Sequence, residues 1–195
     1  METHKNLVLL AFPSEQAWLT WLEENHTTSP GVWVKFAKKA SGLPTVSYEE
    51  VREGALRYGW IDGQINAYDE RFFLTRLTPR RPKSTWSKIN CELVEQLTEQ
   101  GKMTAAGLAH VESAKADGRW EVAYDSPSRM TVPDDFARAL QAHPAAEEFF
   151  GTLSRANRYA FLYRIQTAKS EEVRAKRIAQ YLEMLEEGRA YYPTS

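Results

Sequence analysis

Residues 71–90, RFFLTRLTPRRPKSTWSKIN, hold six cations (Arg71, Arg76, Arg80, Arg81, Lys83 and Lys88) and no Asp or Glu. The whole chain has a formal net charge of −1, so the rest of it sums to −7. A local excess of this kind attracts anions, although a solvated run at the end of a strand has the same composition. Arginine's planar fork suits carboxylate and phosphate, and a helix opening at Ser84 or Ser87 would add free backbone amides. Trp86 offers a stacking face, and Ser84, Thr85 and Ser87 offer neutral donors. Just upstream, GWIDG (residues 59–63) sets Trp60 and Asp62 on a strand between two glycines. A hairpin turning at Asp69 and Glu70 brings Asp62 opposite residues near 77, which predicts a pairing of Asp62 with Arg76. The predicted ligand-binding set is therefore Trp60, Asp62, Arg76, Arg80, Arg81, Lys83, Ser84, Trp86 and Ser87, converging on one concave anion site.

No catalytic residue and no cofactor emerges. The four histidines (His4, His26, His110 and His143) are scattered without ligand spacing, and Cys91 is the single cysteine, so no metal site is predicted. Gly-rich phosphate loops, nucleophile elbows and H-E-x-x-H are absent. Adjacent acids such as Glu49–Glu50 and Glu171–Glu172 sit in predicted first helical turns, where they offset the helix dipole.

The elements that must position these residues follow from periodicity and punctuation. Asn6 to Phe12 reads as a short buried strand stopped by Pro13, and Ser14 caps a helix to about Asn25 with Trp18, Trp21 and Leu22 inward. GVWVKFAKK (residues 31–39) alternates as a half-buried strand, and SYEE (residues 47–50) has capping-box spacing. Two strands then form the hairpin, ended by Pro79 and Pro82, and two helices carry the chain to Gly118. Residues 121–132 lose periodicity. Beyond them every segment is helical, with Phe136, Leu140, Phe149, Phe150, Phe161, Leu162, Ile165, Ile178, Leu182 and Leu185 too apolar to stay in water, so this segment is expected to dock on the N-terminal part.

The fold class is α+β: a small antiparallel sheet with packed helices, followed by a helical C-terminal segment. The predicted domains are 1–122 (mixed α/β) and 133–190 (helical). The apolar fraction of 43% fits a globular chain, and no run reaches the ~20 residues a bilayer crossing needs. The N-terminus lacks a basic leader and cleavage site, so the expectation is a cytoplasmic protein without membrane insertion.

With those segments laid out, the chain resembles the YdeI/OmpD-associated family of bacteriocin-protection proteins. The resemblance runs through WLTWLEENH (18–26), GVWVKFAKK (31–39), GWIDG (59–63), TPRRPKSTWSKIN (78–90) and GKMTAAG (101–107), and continues into PDDF from Pro133 and RAKRI from Arg174. It implies a link to envelope stress and resistance to antimicrobial peptides, and brings neither catalytic residues nor a cofactor. The leading expectation is a non-enzymatic stress-response protein with an anion-binding surface, whose partner is an anionic small molecule or polymer. A nucleic-acid-binding module and an enzyme acting on an anionic small molecule, with Asp62 as base, are the alternatives.

Overall fold

The computed structural model describes residues 2–193. They divide into two compact units, one holding the chain to residue 86 with residues 90–122, the other holding residues 87–89 and the chain from 123 onward.

The first unit is built on a five-stranded sheet. Its strands are β1 (Thr3–His4), β2 (Leu7–Leu10), β3 (Val32–Ala37), β4 (Trp60–Ala67) and β5 (Phe72–Pro79), in the spatial order β1-β2-β3-β5-β4. The sheet is mixed rather than purely antiparallel: β2 and β3 run parallel, and every other pair is antiparallel. The cause is the helix α1 (Glu15–Asn25) between them, because a helical crossover returns the chain in the direction it left. Ser14 caps α1 through the Ala17 amide. Ser47 and Glu50 close both bonds of a capping box at the start of α2 (Tyr48–Arg57).

Val32, Val34, Phe36 and Leu77 turn one sheet face into the main core, against Trp18, Leu22, Val51 and Ala55 from α1 and α2. Trp18 donates its indole N–H to the Val51 carbonyl at 3.0 Å, and Trp18 stacks on Trp21. Leu9, Trp33 and Leu74 form a smaller cluster on the opposite face. Flat strands ~4.8 Å apart would hold β1 and β4 roughly 19 Å from each other. Yet the Asn66 amide of β4 lies 3.3 Å from His4 Nε2 of β1, and the Tyr68 hydroxyl donates to Glu2 at 2.6 Å. The sheet therefore curls until the side chains of its two outer strands meet over Trp33. Helices α3 (Lys88–Glu99) and α4 (Ala105–Ala116) follow the sheet.

The second unit contains α5 (Asp134–Gln141), α6 (Pro144–Thr152), α7 (Arg155–Gln166) and α8 (Glu171–Glu186). The apolar side chains expected to leave water bury against one another: Phe136, Leu140, Phe150, Phe161, Ile165, Leu182 and Leu185 share one core. At ~1.5–3 kcal/mol for each fully buried large side chain, this is the dominant stabilisation of the unit. Arg174 fastens its helices, forking onto the two Asp135 oxygens at 2.6 and 2.8 Å and donating to the Ile165 carbonyl at 3.0 Å.

Where α1 crosses α2 there is no room for a methyl group. A Cβ on Gly54 would sit 2.6 Å from the Trp18 indole nitrogen, and that ring is fully buried. Alanine is the better helix former by ~1 kcal/mol, but here overpacking should outweigh it, so Gly54→Ala is expected to lower stability by about 1–3 kcal/mol. Urea unfolding of the two proteins measures the difference, and an unchanged or higher midpoint would contradict the tight crossing.

Candidate functional site

The strand alternation decides where the sequence-predicted residues go. Asp62 is indeed opposite Leu77, but Arg76 is opposite Trp33. Successive side chains on β5 point to opposite faces, so Asp62 lies on the Leu77 side and Arg76 on the other, exposed. The predicted Asp62–Arg76 pair does not form. Instead Asp62 accepts a short hydrogen bond, 2.5 Å, from the Tyr48 hydroxyl at the start of α2. The Arg52 guanidinium stands 5.8 Å from the centre of the Tyr48 ring. Trp60 is no cleft wall either. It is 1% exposed, packs edge-on against Trp21 and donates to the His26 carbonyl at 3.1 Å.

The six cations of residues 71–90 separate into different surroundings. Arg71 lies exposed over the Phe72 ring, and Lys88 pairs with Asp125 at 2.9 Å. Arg80 turns inward. It is 5% exposed, its guanidinium sits 3.5 Å from the centre of the Trp86 ring, and Nη1 donates to the Thr85 carbonyl at 3.3 Å. Trp86 does supply a stacking face, but for the chain's own arginine, and at 2% exposure it presents none to solvent. A desolvated cation over tryptophan contributes ~2 kcal/mol, which offsets part of the cost of burying the charge. Arg81 and Lys83 stay exposed.

The expected helix-end amides after Ser84 also fall elsewhere. The Ser84 hydroxyl accepts from the Arg81 amide at 3.0 Å and its own amide donates to the Arg81 carbonyl, closing a turn. The helix begins only at Lys88, after buried Ser87, whose backbone bridges to Tyr124. Of the nine residues, the structure brings together Arg80, Ser84 and Trp86 in one loop with Arg81 and Lys83 on its outside. Trp60, Asp62, Arg76 and Ser87 are separate from that loop's outer surface.

That loop is completed by residues sequence reasoning missed. Trp120 packs against Trp86 with ring centres 4.9 Å apart, and Lys115 Nζ lies 5.1 Å over the Trp120 ring. Arg119 donates Nη1 to the Ser84 carbonyl at 2.9 Å, donates Nη2 to the Ser113 hydroxyl at 3.2 Å, and holds Asp117 through Nε at 2.8 Å. Asp117 is held below the usual carboxylate range, first by the Arg119 hydrogen bond, with the Lys83 charge also contributing. Burial, and then the charges of Arg80 and Arg119, lower the pKa of His110 and favour its neutral form. The signal in the sequence was KADGRW (residues 115–120), two cations and a tryptophan around a helix-ending glycine. Burial pushes the Cys91 thiol up to about 11, which leaves it a poor nucleophile. Among the described residues no group of three or more His, Cys, Asp or Glu could hold a metal ion.

Comparison with known families gives two matches. Residues 10–110, just over half of the chain, match the family described as Domain of unknown function (DUF8412). The chain belongs to that family. Residues 129–188 match the family described as Bacteriocin-protection, YdeI or OmpD-Associated, so the helical unit carries a YdeI/OmpD-associated domain. The resemblance read from the sequence extended over nearly the whole chain. The match to that family covers the helical part, whereas GWIDG and TPRRPKSTWSKIN fall in the DUF8412 region. No curated protein and no solved structure matches the chain.

Within the DUF8412 region, the Tyr48–Asp62 bond fastens α2 to β4 and has a pH signature. The Tyr48 phenol is raised above its ordinary value of 10.0, first by burial, then by the hydrogen bond to Asp62 and by its charge. A raised folded-state value means that the stabilisation is complete below about pH 10 and drains away as pH rises through the folded value. Tyr48→Phe and Asp62→Asn are each expected to cost about 1–2 kcal/mol near neutral pH, with the double variant little worse than either. Tyr48→Phe should also flatten the loss of stability above pH 10. Additive single effects in denaturant unfolding would show that the two groups do not act together.

Proposed function

We propose that the protein is a non-enzymatic stress-response protein of the bacteriocin-protection type that binds a multiply charged anion on its sheet unit. The match of residues 129–188 suggests the protective role. One observation carries the binding face: the loop of residues 80–86, underpinned by Arg80 stacked on Trp86, shares its outer side with Lys115, Arg119 and half-buried Trp120. Arg81, Lys83 and Lys115 are exposed there, and Asp117, itself held by Arg119, is the acid bound into the cluster.

Solvated cations contribute little one at a time, so a single small anion gains little from any of them. A ligand that spans several adds those contributions without paying again for association. An anionic polymer or an extended polyphosphate therefore fits the patch better than a monovalent ion. The nucleic-acid alternative uses the same cations with base stacking on Trp120. Asp62, which an enzymatic reading needs as a base, is engaged by the Tyr48 hydroxyl.

Linear polyphosphate titrated into the full chain at two salt concentrations tests this reading. Binding should weaken steeply as salt rises, and Lys83→Glu/Lys115→Glu should reduce affinity at least tenfold at low salt. No binding at low salt, or affinity indifferent to the charge reversal, would remove the proposed face. A single-stranded oligonucleotide binding more tightly than polyphosphate of equal charge, with the gain lost in Trp120→Ala, would favour the nucleic-acid reading instead.

A further inference from the structure

The helical unit contains a cavity of its own, independent of the basic loop. It measures about 320 Å³ and lies between the turn of residues 126–130 and α7, over the side chains of Phe150 and Leu162. Its wall has two chemistries. Arg155, Arg158, Tyr159 and Ser128 supply charge and hydrogen-bonding groups, Pro127, Met130, Val132, Phe150 and Leu162 are apolar, and no acid is among the described residues that line it.

One of the two arginines is held in place. Arg158 is braced by donating Nε to the Leu153 carbonyl at 2.9 Å and Nη2 to the Gly151 carbonyl at 3.2 Å, at the end of α6. Its Nη1 has no acceptor among the described residues. Arg155, at the first position of α7, makes neither ion pair nor side-chain hydrogen bond among the described residues, and the positive end of the α7 dipole lies beneath it. The Tyr159 phenol is raised to about 12, first by burial, and so remains a hydrogen-bond donor across the neutral range.

The apolar side continues. A second cavity, of about 260 Å³, shares Val132 and Phe150 with the first and is lined further by Ala137, Leu140 and Gly151, together with the polar Gln141 and Glu147. A path thus leads from two arginines over Phe150 and Val132 to the groove between α5 and α6. Phe150 and Leu162 already belong to the core, so a chain lying along them adds to an existing apolar surface.

We propose that this path binds a carboxylate carried on an unbranched hydrocarbon tail, with Arg155 and Arg158 on the carboxylate and Met130, Val132, Phe150 and Leu162 along the tail. Two arginine forks and a hydroxyl match a carboxylate's lone pairs; both arginines are exposed, so each adds little alone and the charge must act together with the tail. A hydrocarbon fits the far side better than a peptide. Met130, Val132, Phe150 and Leu162 offer nothing to hydrogen-bond a peptide backbone, and each buried amide left unpaired is costly.

Isothermal titration of the full chain with dodecanoate, kept below its micelle concentration, tests the site. One-site binding is expected, with dodecanol and acetate each at least tenfold weaker, because one lacks the charge and the other the tail. Arg155→Glu should weaken dodecanoate at least tenfold. Val132→Trp, at a position 37% exposed and so tolerant of bulk, should block the path while leaving the thermal midpoint unchanged. The proposal is overturned if dodecyltrimethylammonium binds as well as dodecanoate, or if Arg155→Glu shifts affinity less than twofold. It fails equally if a peptide with a free apolar carboxy-terminus binds and dodecanoate does not.

Discussion

Strand β5 must satisfy two buried faces at once, and the sheet unit is arranged around that demand. It lies between β3 and β4, so its backbone groups are committed on both edges. Leu74 on one face and Thr75 and Leu77 on the other are fully buried. With a period of two there is no freedom to move a single side chain across without moving all of them. Arg76 is consequently fixed on the Trp33 side and Asp62 on the Leu77 side, whatever the attraction between a guanidinium and a carboxylate. Electrostatics of a few kcal/mol cannot compete with the burial of Leu74, Leu77 and their partners.

The same constraint explains what could be read from the sequence. Local signals were reliable: the Ser14 cap, the Ser47–Glu50 box, the hairpin at Asp69 and the register of Asp62 near residue 77 all follow from a few adjacent residues. The failures involve direction or distance. Register alone did not say on which face Arg76 lies, and that hidden parity separated the predicted pair. Tyr48 reaches Asp62 across a helix–strand contact that no spacing announces. Trp86 has the face for stacking, but only the packing shows that Arg80 and Trp120 are the groups that use it. The parallel β2–β3 pair follows from the helix between the two strands, which an all-antiparallel sheet leaves out of account.

In the helical unit the pattern was more legible, because amphipathic helices declare their inner faces residue by residue. Phe136, Phe161, Ile165 and Leu185 needed only neighbours of the same kind. What hydrophobic periodicity cannot register is the polar fastening. Arg174, read only as part of a basic RAKRI run, joins Asp135 to the Ile165 carbonyl and so fixes three helices with one side chain. Arg155 and Arg158 carry no sequence signal beyond two charges in the first turn of a helix. Their position beside a gap in the apolar core gives them a chemistry that composition does not.

The curl that joins Asn66 to His4 and Tyr68 to Glu2 has a consequence for how the protein behaves among other chains. An open sheet ends in two rows of unpaired backbone groups, each a template on which a foreign strand can add. Here one border strand is only two residues long, and the other is interrupted by a register shift between Asp62 and Ile65. Side chains tie the two borders to each other. Among partly unfolded neighbours, a sheet finished in this way gives foreign strands little to grow on.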